Sequence, residues 1–214
     1  MGIICLFVDL GDVIFKINPS KANENLKILG VPLKFGSEQY SIIDFFEIGA
    51  ITSEQFLAMI REYFSQSPPS DKDIIDAFNS ILEGPGFMID RLQYLFDLKY
   101  QHPNLRIYLL SNTNEIHIKR IQEYAIIQNV THLFGDETTS GLFNNRFFSC
   151  RLEARKPEML IYQRACELAQ VSPAEALLID DNHQNIVAAR SYGMQAIELK
   201  TTDLNSFKSA LDII

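Results

Sequence analysis

Residues 3–8 read Ile-Ile-Cys-Leu-Phe-Val, an almost unbroken apolar run, and the chain continues Asp9-Leu10-Gly11-Asp12-Val13-Ile14-Phe15. A run of this kind suits a strand buried on both faces of a parallel sheet; a strand with one wet face would alternate apolar and polar residues. It stops at an acid and turns at Gly11. Open α/β sheets bind ligands at the carboxyl ends of their strands, so Asp9 stands where a site would be. Taken alone, Asp9 is either the cap of a turn or a nucleophilic carboxylate, and later stretches bear on the choice.

Two further apolar runs end in the same manner. Leu105–Leu110 leads into Ser111-Asn112-Thr113-Asn114, and Ala176–Ile179 leads into Asp180-Asp181. Gln195–Leu199 reads as a fourth strand. Between them lie helical patterns: about residues 87–100, then Ile116 to Tyr124, and a stretch opened by Arg155-Lys156-Pro157-Glu158 with Pro157 suited to a first turn. Another reaches Tyr192 and is closed by Gly193, and Leu204–Ile213 is the last. Residues 135–155 read as irregular and polar, with Phe147 and Phe148 embedded. Strands alternating with helices predict an α/β fold: a three-layer, Rossmann-like core around a largely parallel sheet.

The alternation is interrupted right after the first strand. Asn18-Pro19-Ser20 breaks the chain and offers Ser20 as an N-cap. Short amphipathic helices follow, marked by Leu26 and Leu29, by Ile42, Ile43, Phe45 and Phe46, by the capping box Thr52 to Gln55, and by Ser70 with Asp73. The third of these carries a stripe of Phe56, Met59, Ile60, Tyr63 and Phe64. This pattern predicts a small all-α insert over 16–86, with a discontinuous core of 1–15 and 87–214.

Composition excludes several functions. The net charge of −8 over 214 residues argues against general nucleic-acid or anionic-membrane binding. The first apolar run is short, follows no basic region and ends in an acid, so it is expected to be a strand and neither a signal peptide nor an anchor. Cys5, Cys150 and Cys166 are odd in number and widely spaced, which favours free thiols and a cytoplasmic protein over a disulfide framework.

In a parallel sheet the ends of the three buried strands converge, bringing Asp9, Ser111-Asn112 and Asp180-Asp181 to one crevice. Lys156 adds a cation there. Each motif has a bland explanation by itself: a helix cap, a turn, a solvated lysine. Three clustered carboxylates repel one another unless a hard cation offsets them, and oxygen ligands suit Mg²⁺.

The order of these motifs resembles that of the haloacid dehalogenase-like superfamily, over essentially the whole chain. Asp180-Asp181-Asn182-His183-Gln184-Asn185, followed by Ala188-Ala189 and Gly193-Met194, carries the resemblance most strongly. The helical insert resembles the small α-helical cap of many members, and the Ser-Asn-Thr-Asn and Arg-Lys-Pro-Glu stretches look most like sugar-phosphate phosphatases. The resemblance implies that Asp9 attacks phosphorus to form an aspartyl-phosphate. Ser111 and Lys156 would hold phosphoryl oxygens, and Asn112 would orient that group or the substrate. Mg²⁺ would sit on Asp9, the main-chain carbonyl of Gly11 and the acidic pair Asp180-Asp181, with Asp181 the more direct ligand of the two and Asn185 in support. The expected substrate is a small phosphorylated metabolite, with no nucleic-acid or membrane partner.

One position departs from the family pattern. Its phosphatases usually carry a second Asp two residues after the nucleophile, as general acid and base, and here that residue is Gly11. The gap leaves two alternatives: a hydrolytic haloacid dehalogenase, or a non-catalytic protein binding a phosphorylated ligand. It also predicts a preference for activated esters, whose leaving groups need no proton.

Overall fold

The computed structural model describes residues 2–36, 41–135, 141–200 and 203–213. The first strand, β1, is Cys5–Val8. Helices α1 (Pro19–Ile28), α2 (Ile42–Glu47), α3 (Ser53–Arg61) and α4 (Asp71–Asn79) follow, then α5 (Ile89–Gln101) and β2 (Arg106–Ser111). Next come α6 (Glu115–Ile127), α7 (Thr131–Phe134), β3 (Asn145–Phe148), α8 (Ser149–Leu152) and α9 (Met159–Ala169). The chain closes with β4 (Ala176–Asp180), α10 (His183–Tyr192), β5 (Gln195–Glu198) and α11 (Leu204–Leu211).

The five strands are all parallel, in the order β3-β2-β1-β4-β5. Every residue of β1 is buried, as its unbroken apolar run requires of the central strand. Alternate side chains serve opposite faces. Leu6 and Val8 join Ile107, Leu109, Leu177 and Ile179 beneath Leu92, Leu95, Ile121 and Phe207 of α5, α6 and α11. Cys5 and Phe7 join Tyr108, Leu110 and Leu178 beneath Ile161, Tyr162, Ala165 and Ala189 of α9 and α10. Each buried side chain of this size contributes ~1.5–3 kcal/mol, so the two apolar layers hold the sheet between helices. This is the expected three-layer α/β core.

Helices α1 to α4 build a third cluster of Leu26, Phe46, Phe56, Ile60, Ile74 and Phe78, to which Ile116 of α6 is added. Phe46 stacks on Phe56 at 4.5 Å between ring centroids. Three of these helices open with complete capping boxes, Ser41/Asp44, Thr52/Gln55 and Ser70/Asp73. Among the described residues no helix is long and apolar enough to cross a membrane.

Several sequence expectations need correction. The first helix is capped by Asn18, whose side chain accepts from Lys21 N, so Ser20 is inside the helix and not its cap. Helix α3 ends at Arg61, leaving Tyr63 half exposed beyond the stripe. Pro157 does not open a helix; it lies in a turn, and α9 begins at Met159. The stretch 135–155 is not wholly irregular: it holds edge strand β3 and the short α8, while 136–140 lie outside the described residues. Phe147 and Phe148 are the buried half of that strand.

Candidate active site

Strands β2, β1 and β4 are neighbours, and their register pairs Val8 with Leu109 on one side and Ile179 on the other. Asp9, one residue further, donates its N–H to Ile179 O at 2.9 Å, and Asp180 stands beside it. The sheet thus brings Asp9, Asp180 and Ser111 together at one edge, all buried.

Lys156 reaches this edge from the turn before α9. The residue is 2% exposed, and its ammonium donates to Asp9 Oδ1 at 2.7 Å, Asp180 Oδ2 at 2.6 Å and the Leu110 carbonyl at 2.8 Å. All three protons are used. Asn112 clamps the lysine's own backbone, its side-chain N–H donating to Lys156 O at 2.7 Å and its oxygen accepting from Lys156 N at 2.8 Å. Asn112 therefore positions Lys156. The Ser111 hydroxyl has only a long 3.5 Å contact to the Asn112 carbonyl among the described residues, which leaves it free for a ligand.

Asp180 is tied down by the Asn182 amide and by the Asn185 side chain, each at 2.9 Å, besides Lys156. Asp181 is half-buried and less encumbered. One carboxylate oxygen from each of Asp9, Asp180 and Asp181 lies within 4.8 Å of the others. Burial pushes the Asp9 carboxyl up to about 7, against the pull of Lys156 and with a further push from Asp180. Burial, with Asp180 beside it, raises Asp181 to about 6. Burial opposes the Lys156 charge, but Asp180 and Asp9 outweigh it and hold the ammonium protonated. One cation facing three acids leaves a surplus of negative charge, and an all-oxygen donor set fits a hard divalent cation.

Gly11 follows immediately. Its backbone is outside the left-handed region, and a Cβ there would meet only the tip of the Ile17 side chain, 3.1 Å away. Nothing in the backbone forbids a side chain at this position. Asp12 carries a left-handed φ of 50° and its carboxylate pairs with Lys16 at 2.5 Å.

Above Lys156 and Asn112 opens a cavity of about 660 Å³. It is also lined by Asn182, Gln184 and Asn185, and from the α1–α4 region by Lys34, Phe35, Ser41, Asp44 and Glu47. Two attachments fix α2 over the site. Gly49, at φ 69°, packs so closely on α8 that a Cβ would sit 2.1 Å from Cys150 O. Arg155 forks onto α2, pairing with Asp44 and approaching Glu47 Oε2 at 2.9 Å. Burial pushes the Glu47 carboxyl up to about 7, with Arg155 opposing and Asp44 adding to the rise. The residues loop 34–36 rests on are also anchored: Asn23 holds the Phe35 backbone, and the Phe35 ring stacks on Phe78 and His117.

Sequence reasoning did not find Asp44, Glu47 or Lys34, and it quoted Arg155 without a role. Arg155 and Asp44 are 111 positions apart, and no local pattern joins them. The one available signal was an arginine directly beside the lysine.

Residues 153–204, which contain Lys156 and Asp180-Asp181, match the family profile described as HAD-hydrolase-like. Among solved structures, the HAD family enzyme BT-2542 of Bacteroides thetaiotaomicron is 30% identical, with a TM-score of 0.79 over 98% of this chain and 99% of that one. The same enzyme in complex with magnesium and inorganic phosphate gives a TM-score of 0.74 at 30% identity, over 92% of this chain and 94% of that one. A predicted HAD-like family hydrolase from Porphyromonas gingivalis shares the fold, with a TM-score of 0.77 at 21% identity over 99% of both chains. A curated relative, drimenol cyclase drtB of Aspergillus calidoustus, is 25% identical over 90% of this chain. The chain spans 33% of that protein's length.

Proposed function

This chain belongs to the haloacid dehalogenase-like (HAD) family of hydrolases, and from that premise we propose that it is a Mg²⁺-dependent phosphatase of small phosphorylated metabolites, working through Asp9. The observation that carries the reading is the cluster of Asp9, Asp180 and Asp181 within 4.8 Å, with a buried Lys156 bridging Asp9 and Asp180. The cation would rest on those three acids and the Gly11 carbonyl, where it offsets charge on the acids and on the transferring phosphoryl group. Magnesium and phosphate in the BT-2542 complex support this choice.

In the proposed reaction Asp9 attacks phosphorus and forms an aspartyl-phosphate, dividing hydrolysis into two easier displacements. Ser111 holds a phosphoryl oxygen, and Lys156 turns to another the proton it now gives Asp9, as that carboxylate bonds to phosphorus and charge redistributes. Asn112 fixes Lys156, and Asn185 with the Asn182 amide holds Asp180 in place. In this reading residues 16–86 act as a cap that closes the cavity over the core of 1–15 and 87–214. The cavity's polar lining of Ser41, Asn112, Asn182 and Gln184 suits a hydroxylated leaving group such as a sugar. The three unpaired cysteines fit a reducing, cytoplasmic location.

A dehalogenase needs neither the metal nor the acidic pair, so the cluster favours the phosphatase reading. The test is a panel of phosphate esters offered to purified protein with and without Mg²⁺. We expect Mg²⁺-dependent phosphate release that Asp9→Asn lowers by at least ~10³-fold, the scale of losing a catalytic nucleophile. Halide release from haloacids without phosphate release, or activity in Asp9→Asn within tenfold of wild type, would overturn it.

A further inference from the structure

Among the described residues, no acid at the core's strand ends is free to give the proton that the reaction needs. Splitting an alkyl phosphate expels an alkoxide, and the second step must activate a water. Gly11 can do neither, and Asp12 is engaged with Lys16 at 2.5 Å. Asp180 is held by three donors and Asp181 belongs to the metal cluster.

We propose that Glu47, on α2 of the helical insert, supplies this proton: it protonates the leaving-group oxygen and then takes a proton from the attacking water. The inference rests on the Asp9 phosphatase reading. Among the described residues two carboxylates look into the cavity from the insert, Asp44 and Glu47. Asp44 is fully committed, with Oδ2 accepting from Ser41 N at 2.6 Å and from the Ser41 hydroxyl, and Oδ1 accepting from Arg155. Glu47 is not. Its side chain is 12% exposed, and Oε2, although 2.9 Å from Arg155 Nη2, is buried without an aligned hydrogen bond. That oxygen faces Arg155; Oε1 takes no hydrogen bond among the described residues and is the atom to spare for a substrate oxygen or a water in the cavity that Glu47 lines. Lys156, which grips Asp9, lies close enough for its charge to act on Glu47, and both residues line the same cavity. A carboxyl raised to about 7 by burial is partly protonated at neutral pH, as a donor that must later act as a base has to be.

The balance is complete without another reactant. An Asp9 oxygen bonds to phosphorus, the phosphorus–alkoxide bond breaks, and the alkoxide takes the Glu47 proton. Water then bonds to phosphorus, the Asp9–phosphorus bond breaks, and the water's proton returns to Glu47. The substrate class follows: esters of ordinary alcohols, where the gap at Gly11 alone would predict only activated esters.

The experiment compares wild type with Glu47→Gln on alkyl phosphates and on p-nitrophenyl phosphate. Glu47→Gln should lose ~10²–10⁴-fold on alkyl esters, the usual worth of a positioned proton transfer. On p-nitrophenyl phosphate it should give a burst of about one nitrophenolate per enzyme and accumulate phosphoryl-enzyme, because the first step no longer needs the proton and the second still does. Equal losses on both esters without a burst would assign Glu47 a structural role, and unchanged alkyl turnover would exclude it. A wild-type series of esters with rising leaving-group pKa provides a test free of folding effects. A shallow dependence of kcat/KM is expected, and a steep one overturns the proposal. Wild type that releases phosphate from no ester with Mg²⁺ would overturn the phosphatase reading instead.

Discussion

Asp9 and Lys156 show how much a single residue's setting decides. A carboxylate and an ammonium both buried at one strand end are costly unless each completes the other's hydrogen bonds, and here the ammonium serves two acids and a carbonyl. Glu47 is the opposite case, a buried acid whose neighbours Arg155, Asp44 and Lys156 do not hold its charge. That state has a pH signature. The folded pKa is about 7 against an ordinary 4.5, so between those values the unfolded chain has released a proton that the folded one keeps. Stability from this group is therefore present below pH 4.5 and lost as pH rises through 7. Glu47→Gln, which cannot titrate, should gain on wild type by ~3 kcal/mol across that window. Urea unfolding at several pH values measures the difference; a gap that stays constant, or shrinks with pH, contradicts a raised Glu47. At this scale the convergence of the core acids and Lys156 was legible, because each ends an apolar run or stands beside a turn. Glu47 was hidden, since its place in the cavity lining depends on what α2 faces.

Among the elements, α2 matters most beyond the sheet. It has only six residues, too few to be stable alone, and relies on its capping box and its two attachments to the core. Gly49→Ala tests the closer one. The substitution puts a methyl carbon 2.1 Å from Cys150 O at a backbone φ of 69°, so α2 must move away from α8. We expect a loss of ~1–3 kcal/mol from backbone strain, together with a raised KM as Asp44 and Glu47 shift. Unchanged stability and KM would show that this contact does not seat the helix. Elements differed in how plainly the sequence announced them. β1, β2 and β4 were visible because a strand buried on both faces is a continuous apolar run. β3 is an edge strand reading Asn-Arg-Phe-Phe, half polar and only four residues long, and it carries neither an apolar run nor a clean alternation. The Pro157 turn was misplaced for a related reason: proline suits a turn as well as a first helical turn.

Across the whole molecule, the alternation of strands and helices made the α/β core legible, and the helical run after β1 was visible as α1 to α4. Their meeting was not legible. It is made by contacts such as Arg155 with Asp44, which depend on how two separately built cores pack. In the proposed reaction Asp9 carries the phosphoryl group between the two steps. Acid quenching of the protein during turnover of a phosphate ester with Mg²⁺, followed by mass spectrometry of its peptides, tests this most directly. We expect one phosphoryl group on the peptide containing Asp9, dependent on Mg²⁺, absent from Asp9→Asn, and enriched in Glu47→Gln. Phosphate on another residue, or full turnover by Asp9→Asn with no modified peptide, would contradict it.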